Sequence, residues 1–269
     1  MQGSTPITTT ETTAGYSRLS LDLASPPAAR IRFSHPPLNV IDIPMMEDLS
    51  RALTEVESRS ELPVIVLEGA GKAFSAGVDV AAHTPDKIED MLTKFHAVVK
   101  TLMGSRKVTI AAVQGGCLGG GAELALVCDM VYTADSAQWG FPEIKLGCYP
   151  PVACTALAAL IGHKAAAELI LTGRSISGAE AATLKLATRS VPEAELATTV
   201  QAAVDNLSRL SPAALAMTKK AIYAWDSVHF DKGLARAEKI YLEELTHTAD
   251  AQEGIRAFLE KREPVWRGQ

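Results

Sequence analysis

Two carboxylates stand where they could share one piece of chemistry. Glu123 follows GGCLGGG (115–121), in which five of seven residues are glycine, and Glu143 comes twenty residues later in WGFPEIKLG (139–147). Bare backbone at a helix start ordinarily receives an anion, which a glutamate would repel. The conflict disappears if the negative charge is transient. A carbonyl oxygen that becomes an enolate is stabilised by uncovered amides and the positive end of a helix, while a nearby glutamate moves protons. In an apolar pocket such a glutamate has its pKa raised toward neutrality. Two acids on one pocket can divide the roles of acid and base, which addition of water across a double bond requires. Each segment alone also has a plainer reading. The first could be a strand-to-helix packing turn with a dipole-favouring Glu, and the second a solvated loop acid aimed by Pro142.

The glycines do not fit the phosphate loops. Gly116-x4-Gly121 is followed by Ala122-Glu123, where a Walker loop needs Lys and Ser or Thr. The phase of Gly119-x-Gly121 puts Leu124 where a dinucleotide fingerprint needs its third glycine. Nicotinamide and flavin cofactors lose their support, and no cofactor is expected.

A third segment, KAFSAGVDV (72–80), ends the turn after one buried strand as 115–121 does after another. Equivalent positions in two rounds of a repeat can bring two backbone N–H groups to one point, and an oxyanion hole needs two donors about 3 Å from the developing charge. Asp79 reads as structural. His83 and His96 fall in or near the next helix, where His96 could line an acyl pocket or simply be satisfied by a backbone carbonyl. Trp139 reads as core packing or as a wall that narrows the pocket. Lys219-Lys220 and Glu243-Glu244 read as solvated helix faces.

The elements that must position these residues alternate between strand and helix. RLSLDLA (18–24) and ARIRFSH (29–35) have the period of half-buried strands and form a hairpin across Ser25-Pro26-Pro27. Helical spacing runs from Pro44 to about Ser58. LPVIVLEGAG and VTIAAVQGG are short continuous apolar runs, the mark of strands buried on both faces. A helix is predicted over 85–103 with Thr84 as cap and Pro85 first, a short helix in AELALVCDM, and short strands in MVYTAD and AQWGF. Two strand-then-helix rounds, each with a glycine turn, suggest a repeated superhelical α/β core. After residue 150 strand signals disappear, and SGAE (177–180) and Ser211-Pro212 open helices. The expected organisation is a disordered tail over 1–15, an α/β core over 16–200 and a helical region over 201–269.

At 269 residues, 47% hydrophobic and 21% charged, the chain can bury a sizeable core. A net charge of −5 leaves no basic surplus for nucleic acid, and no run approaches the roughly 18 apolar residues of a membrane span. MQGSTPITTTETTAGY has neither a signal-peptide core nor transit-peptide arginines, so the cytoplasm is the expected location. Cys117, Cys128, Cys148 and Cys154 form no CxxC pair, no His stands at ligand spacing, and reduced, mostly buried thiols without a metal are expected.

Together the three segments resemble the crotonase (enoyl-CoA hydratase/isomerase) superfamily: FSAGVDV its first oxyanion-hole motif, GCLGGGAEL its second, and FPEIKLG the loop of its second acid. The resemblance runs from about Arg18 to Arg267. It implies a crotonase-like fold of repeated ββα units with a helical C-terminal trimerisation region. It also implies backbone donors at Val78 and Gly120, with Glu123 and Glu143 as the acid/base pair, and substrate contacts including Ala76. EGIRAFLEKREPVW matches as well and implies Phe258 and Lys261 near the CoA of a neighbouring subunit, in a homotrimer or a dimer of trimers. One run departs: GCYPPVACTALAALIG stands where enoyl-CoA hydratases carry a PGxGGTQRL-like run, so Tyr149, Pro150 and Pro151 should reshape the acyl pocket. This run, AHTPDKIEDMLTKFH and IYLEELTHTADAQEGIRAFLEKR are similar to the cyclohexa-1,5-diene-1-carbonyl-CoA hydratases of anaerobic benzoyl-CoA degradation. The implied reaction is hydration of a conjugated, cyclic dienoyl-CoA. The alternatives are a straight-chain enoyl-CoA hydratase, a double-bond isomerase, a non-catalytic acyl-CoA binder, and a carboxylate-pair glycosidase, for which 5% aromatic residues supply few sugar-stacking platforms.

Overall fold

The computed structural model describes residues 15–24, 27–224 and 226–268, and only the backbone of 226–228. Residues 1–14 of the expected tail, and Ser25 and Pro26 of the expected hairpin turn, lie outside the described residues.

β1 (Leu19–Asp22) and β2 (Ala28–Phe33) pair antiparallel with Leu21 opposite Ile31. Helix α1 (Ile43–Glu57) starts where Asp42 accepts from the amide of Met45 and buries a stripe from Met45 to Val56. Three ββα rounds follow. The first is β3 (Val64–Gly69), β4 (Ala73–Ser75) and α2 (Ile88–Gly104); the second is β5 (Val108–Val113), β6 (Gly116–Leu118) and α3 (Gly120–Leu126). The third is β7 (Met130–Ala134), β8 (Gln138–Gly140) and α4 (Pro151–Ile161). The first strands of the rounds join a six-stranded sheet ordered β1-β2-β3-β5-β7-β10, where β10 is Arg189–Val191, and the second strands a small sheet ordered β4-β6-β8-β9, where β9 is Ser175–Ser177. Between successive rounds the strands pair parallel, so the turns stack as a superhelix and bring equivalent loops together. β5 is buried at every position, as expected of a mostly apolar strand covered on both faces.

The rest of the chain is α5 (His163–Thr172), β9 (Ser175–Ser177), α6 (Gly178–Thr183), β10 (Arg189–Val191), α7 (Glu193–Ser208), α8 (Pro212–Tyr223), α9 (Asp226–Glu243) and α10 (Ala249–Leu259). Ser177 and Ser211 cap α6 and α8 as expected. Two expectations need correction. Strands do occur after residue 150, but β9 and β10 are three residues each, too short to show a period. α2 begins at Ile88 because the Thr84 carbonyl accepts from Lys87 and Ile88 and closes a separate turn over Pro85, so Thr84 does not cap it. α7 runs through position 200. Cys117, Cys128 and Cys148 are buried, whereas Cys154 is exposed. Among the described residues no helix is long and apolar enough to cross a membrane.

Candidate active site

The loop after β4 is held from behind. Asn39, buried and at φ 55°, donates through Nδ2 to the carbonyls of Ala70 and Ala73, and its own carbonyl accepts from the Ser75 hydroxyl. Ile41 donates to the Gly77 carbonyl and accepts from the Asp79 amide. In extended backbone alternate amides face opposite sides, so this pairing uses residues 77 and 79 and passes over Val78. Among the described residues the Val78 amide has no acceptor.

The second donor comes from the next round. Gly119, at φ +51°, gives its amide to the Gly140 carbonyl, and its own carbonyl accepts from Glu123. Gly120 is the first residue of α3, where an amide has no intrahelical acceptor. The loops touch: a Cβ on Gly77 would lie 3.4 Å from the Gly120 nitrogen, and one on Gly120 would lie 2.6 Å from Val78 Cγ2. Glycine is required on both sides for this approach. The two free amides at Val78 and Gly120 therefore border one space.

Glu123 is 3% exposed on the first turn of α3, and its Oε1 accepts from the Ala153 amide at 2.9 Å. Ala153 lies in the first turn of α4, where Pro150 and Pro151 set the helix start, so Glu123 faces a helix N-terminus. Burial pushes its carboxyl up to about 7 against the pull of the Ala153 and Val152 amides.

Glu143 sits in the 3-10 turn Pro142–Leu146 and reaches back to the second donor loop: a Cβ on Gly119 would lie 2.7 Å from Glu143 Oε1. Its Oε2 is buried with no hydrogen-bond partner among the described residues. Burial pushes this carboxyl up to about 8, and the charge of Glu123 acts in the same direction. The turn is pinned from outside by α10, whose Gly254 is so close that a Cβ there would lie 2.1 Å from the Leu146 carbonyl oxygen.

All of this opens on a cavity of about 430 Å³ whose wall includes Ala76, Val78, Gly120, Glu123 and Glu143. His96, Tyr149 and Pro151 also line it, and Phe258 stands at its rim, 52% exposed. The Tyr149 hydroxyl donates to the Ala237 carbonyl at 2.7 Å, and its ring meets that of Tyr241 edge-on at 5.1 Å. Trp139 does not line the cavity: it is fully buried in β8 with its indole N–H on Thr133 Oγ1 at 3.0 Å, a core residue. Lys261 is exposed and off the wall, whereas its neighbour Arg262 is on it. Phe258 lines its own chain's cavity. Lys219, expected on a solvated face, is buried and paired with Asp129 at 2.8 Å.

Sequence reading missed α9 altogether as a wall of the site. It supplies Tyr241 to the cavity, the Ala237 carbonyl to Tyr149, and Glu238 to His96 Nδ1. The signal was present as helical spacing, since Leu234, Glu238 and Tyr241 share one face. Among the described residues no group of three His, Cys, Asp or Glu side chains could hold a metal ion.

Buried acids facing two free amides suit protonation changes at a thioester enolate. Residues 27–269 match the family model described as enoyl-CoA hydratase/isomerase. The chain is 34% identical over 237 residues to a cyclohexa-1,5-dienecarbonyl-CoA hydratase of Thauera aromatica, covering 88% of this chain and 92% of that protein. An enoyl-CoA hydratase crystal structure from Mycobacterium avium subsp. paratuberculosis K-10 superposes with a TM-score of 0.85 at 25% identity, covering 94% of this chain and all of that one. One from Bacillus anthracis gives 0.75 at 33% identity, covering 94% of this chain and all of that one.

Proposed function

Since the chain belongs to the enoyl-CoA hydratase/isomerase family, we propose that it is a hydro-lyase that adds water to a conjugated acyl-CoA thioester, and that the acyl group is a cyclic dienoyl. The observation that carries this reading is the presence of Glu123 and Glu143 in one cavity bordered by the free amides of Val78 and Gly120.

In this reading the thioester oxygen lies between those two amides, which oppose the charge it gains as the enolate forms. Glu123 is the better anion because the Ala153 amide and the α4 terminus face it. It takes a proton from water as the hydroxyl bonds to the carbon conjugate to the thioester. Glu143, kept protonated by burial and by its neighbour's charge, gives a proton to the α-carbon. The elements of water are added and no redox change occurs. The chain's own residues supply every proton transfer; coenzyme A enters as part of the substrate.

A ring in the acyl pocket is supported by a stiff, aromatic wall. Tyr149 is fixed by Ala237 and Tyr241, and Pro150 and Pro151 allow little local movement. The hydratase named for Thauera aromatica supports the same substrate class. A homotrimer or dimer of trimers in the cytoplasm belongs to this proposal. The test is to incubate the enzyme with crotonyl-CoA and with a cyclic dienoyl-CoA in H₂¹⁸O. Loss of conjugated absorbance with label in the product supports hydration, and a faster rate for the cyclic substrate supports the substrate class. A shifted double bond without label would make the enzyme an isomerase.

A further inference from the structure

His96 is 1% exposed and on the cavity wall, yet one of its ring nitrogens has nothing to bind. Nδ1 meets the Glu238 carboxylate, and Nε2 is buried with no hydrogen-bond partner among the described residues. A carboxylate only accepts, so Nδ1 carries the proton and a neutral ring leaves Nε2 as a bare acceptor. Burial holds the ring below its ordinary range, with the Glu238 hydrogen bond acting the other way. A buried acceptor left unpaired is costly, and a site that retains one is suited to a ligand that brings a donor.

The reacting carbons do not need that acceptor. Glu123 and Glu143 already attend the water and the α-carbon, whereas His96 projects from α2 beside Phe95 and is fixed by a carboxylate on α9. We propose that His96 is a specificity-determining residue whose Nε2 accepts a hydrogen bond from a hydroxyl on the acyl ring, remote from the thioester, so that the preferred substrate is an oxygenated, unsaturated acyl-CoA. This rests on the hydratase reading and adds the chemical class of the acyl group. Glu238 is a positioning residue that holds the tautomer.

The experiment compares cyclohexenecarbonyl-CoA with its derivatives hydroxylated on the ring carbons remote from the thioester. For at least one derivative, wild-type kcat/KM exceeds that of the unsubstituted ester by roughly 10-fold or more. The ratio falls to about one in His96→Phe, through KM, and returns in part in His96→Asn, whose amide oxygen accepts. Equal kcat/KM for all esters in wild type, or a preference that survives His96→Phe, overturns the proposal. Calorimetric binding of the saturated esters reads the same preference without turnover. A binding difference in the absence of any hydration therefore sinks the hydratase reading and leaves this one standing.

Discussion

The amide of Ala153 donates to Glu123 Oε1 over 2.9 Å, whereas Glu143 Oε2 is buried with no such donor. That single asymmetry divides two otherwise similar acids. Both are raised by burial, but one faces a helix N-terminus and the other faces its partner's charge. The first suits a base and the second an acid.

The pH dependence of kcat/KM follows from this division. Activity rises as the first acid ionises near about 7 and falls as the second loses its proton near about 8. The two steps belong to the pair, so the profile is a narrow bell displaced above the ordinary carboxylate range. A profile flat from acid through alkaline pH would remove the assignment.

Stability should carry the same signature with a definite sign. A carboxyl whose folded pKa exceeds its unfolded one, 4.5 for both acids, binds more protons when folded. The associated stability is complete below 4.5 and is lost as pH rises through about 7 and about 8. Thermal unfolding of wild type should therefore show a falling Tm between those limits, and the Glu123→Gln, Glu143→Gln double variant a flatter one. Equal slopes for the two proteins would contradict the burial of the acids.

Gly119→Ala tests whether the second donor loop and Glu143 are one unit. A methyl there would lie 2.7 Å from Glu143 Oε1, on backbone already at φ +51°. Turnover should drop by roughly 10²-fold, and adding Glu143→Gln should cost little more. Fully multiplicative losses would show that the two act separately.

Gly254→Ala probes the support outside the cavity. Its Cβ would lie 2.1 Å from the Leu146 carbonyl oxygen, so α10 must move off the turn that carries Glu143. Destabilisation of roughly 1–3 kcal/mol is expected, read by chemical denaturation. An unchanged midpoint would show that α10 is free to shift.

The glycine stretch and the two acids were legible because their residue types conflict unless a transient anion is present. The strands were legible because β3 opens on four apolar residues, Val64 to Leu67, and β5 carries a single polar residue, Thr109. What stayed hidden was long-range. No sequence pattern singles out Asn39, and only the fold shows it bonded to the carbonyls of Ala70 and Ala73. Glu238 and Tyr241 look like one more helix face until α9 is seen against the site. Lys219 was misread because its partner, Asp129, lies in the connection between α3 and β7 and no local spacing reveals the pair. Both strands of the third ββα round were expected, but the round itself was missed because the turn Pro142–Leu146 separates β8 from α4.

The account depends most directly on the two acids acting together on water. Steady-state hydration by Glu123→Gln, by Glu143→Gln and by the double variant measures that dependence. Each single variant should lose roughly 10²-fold or more in kcat while still binding CoA esters, and the double variant should hydrate no faster than either. A double variant that hydrates at the wild-type rate would contradict it.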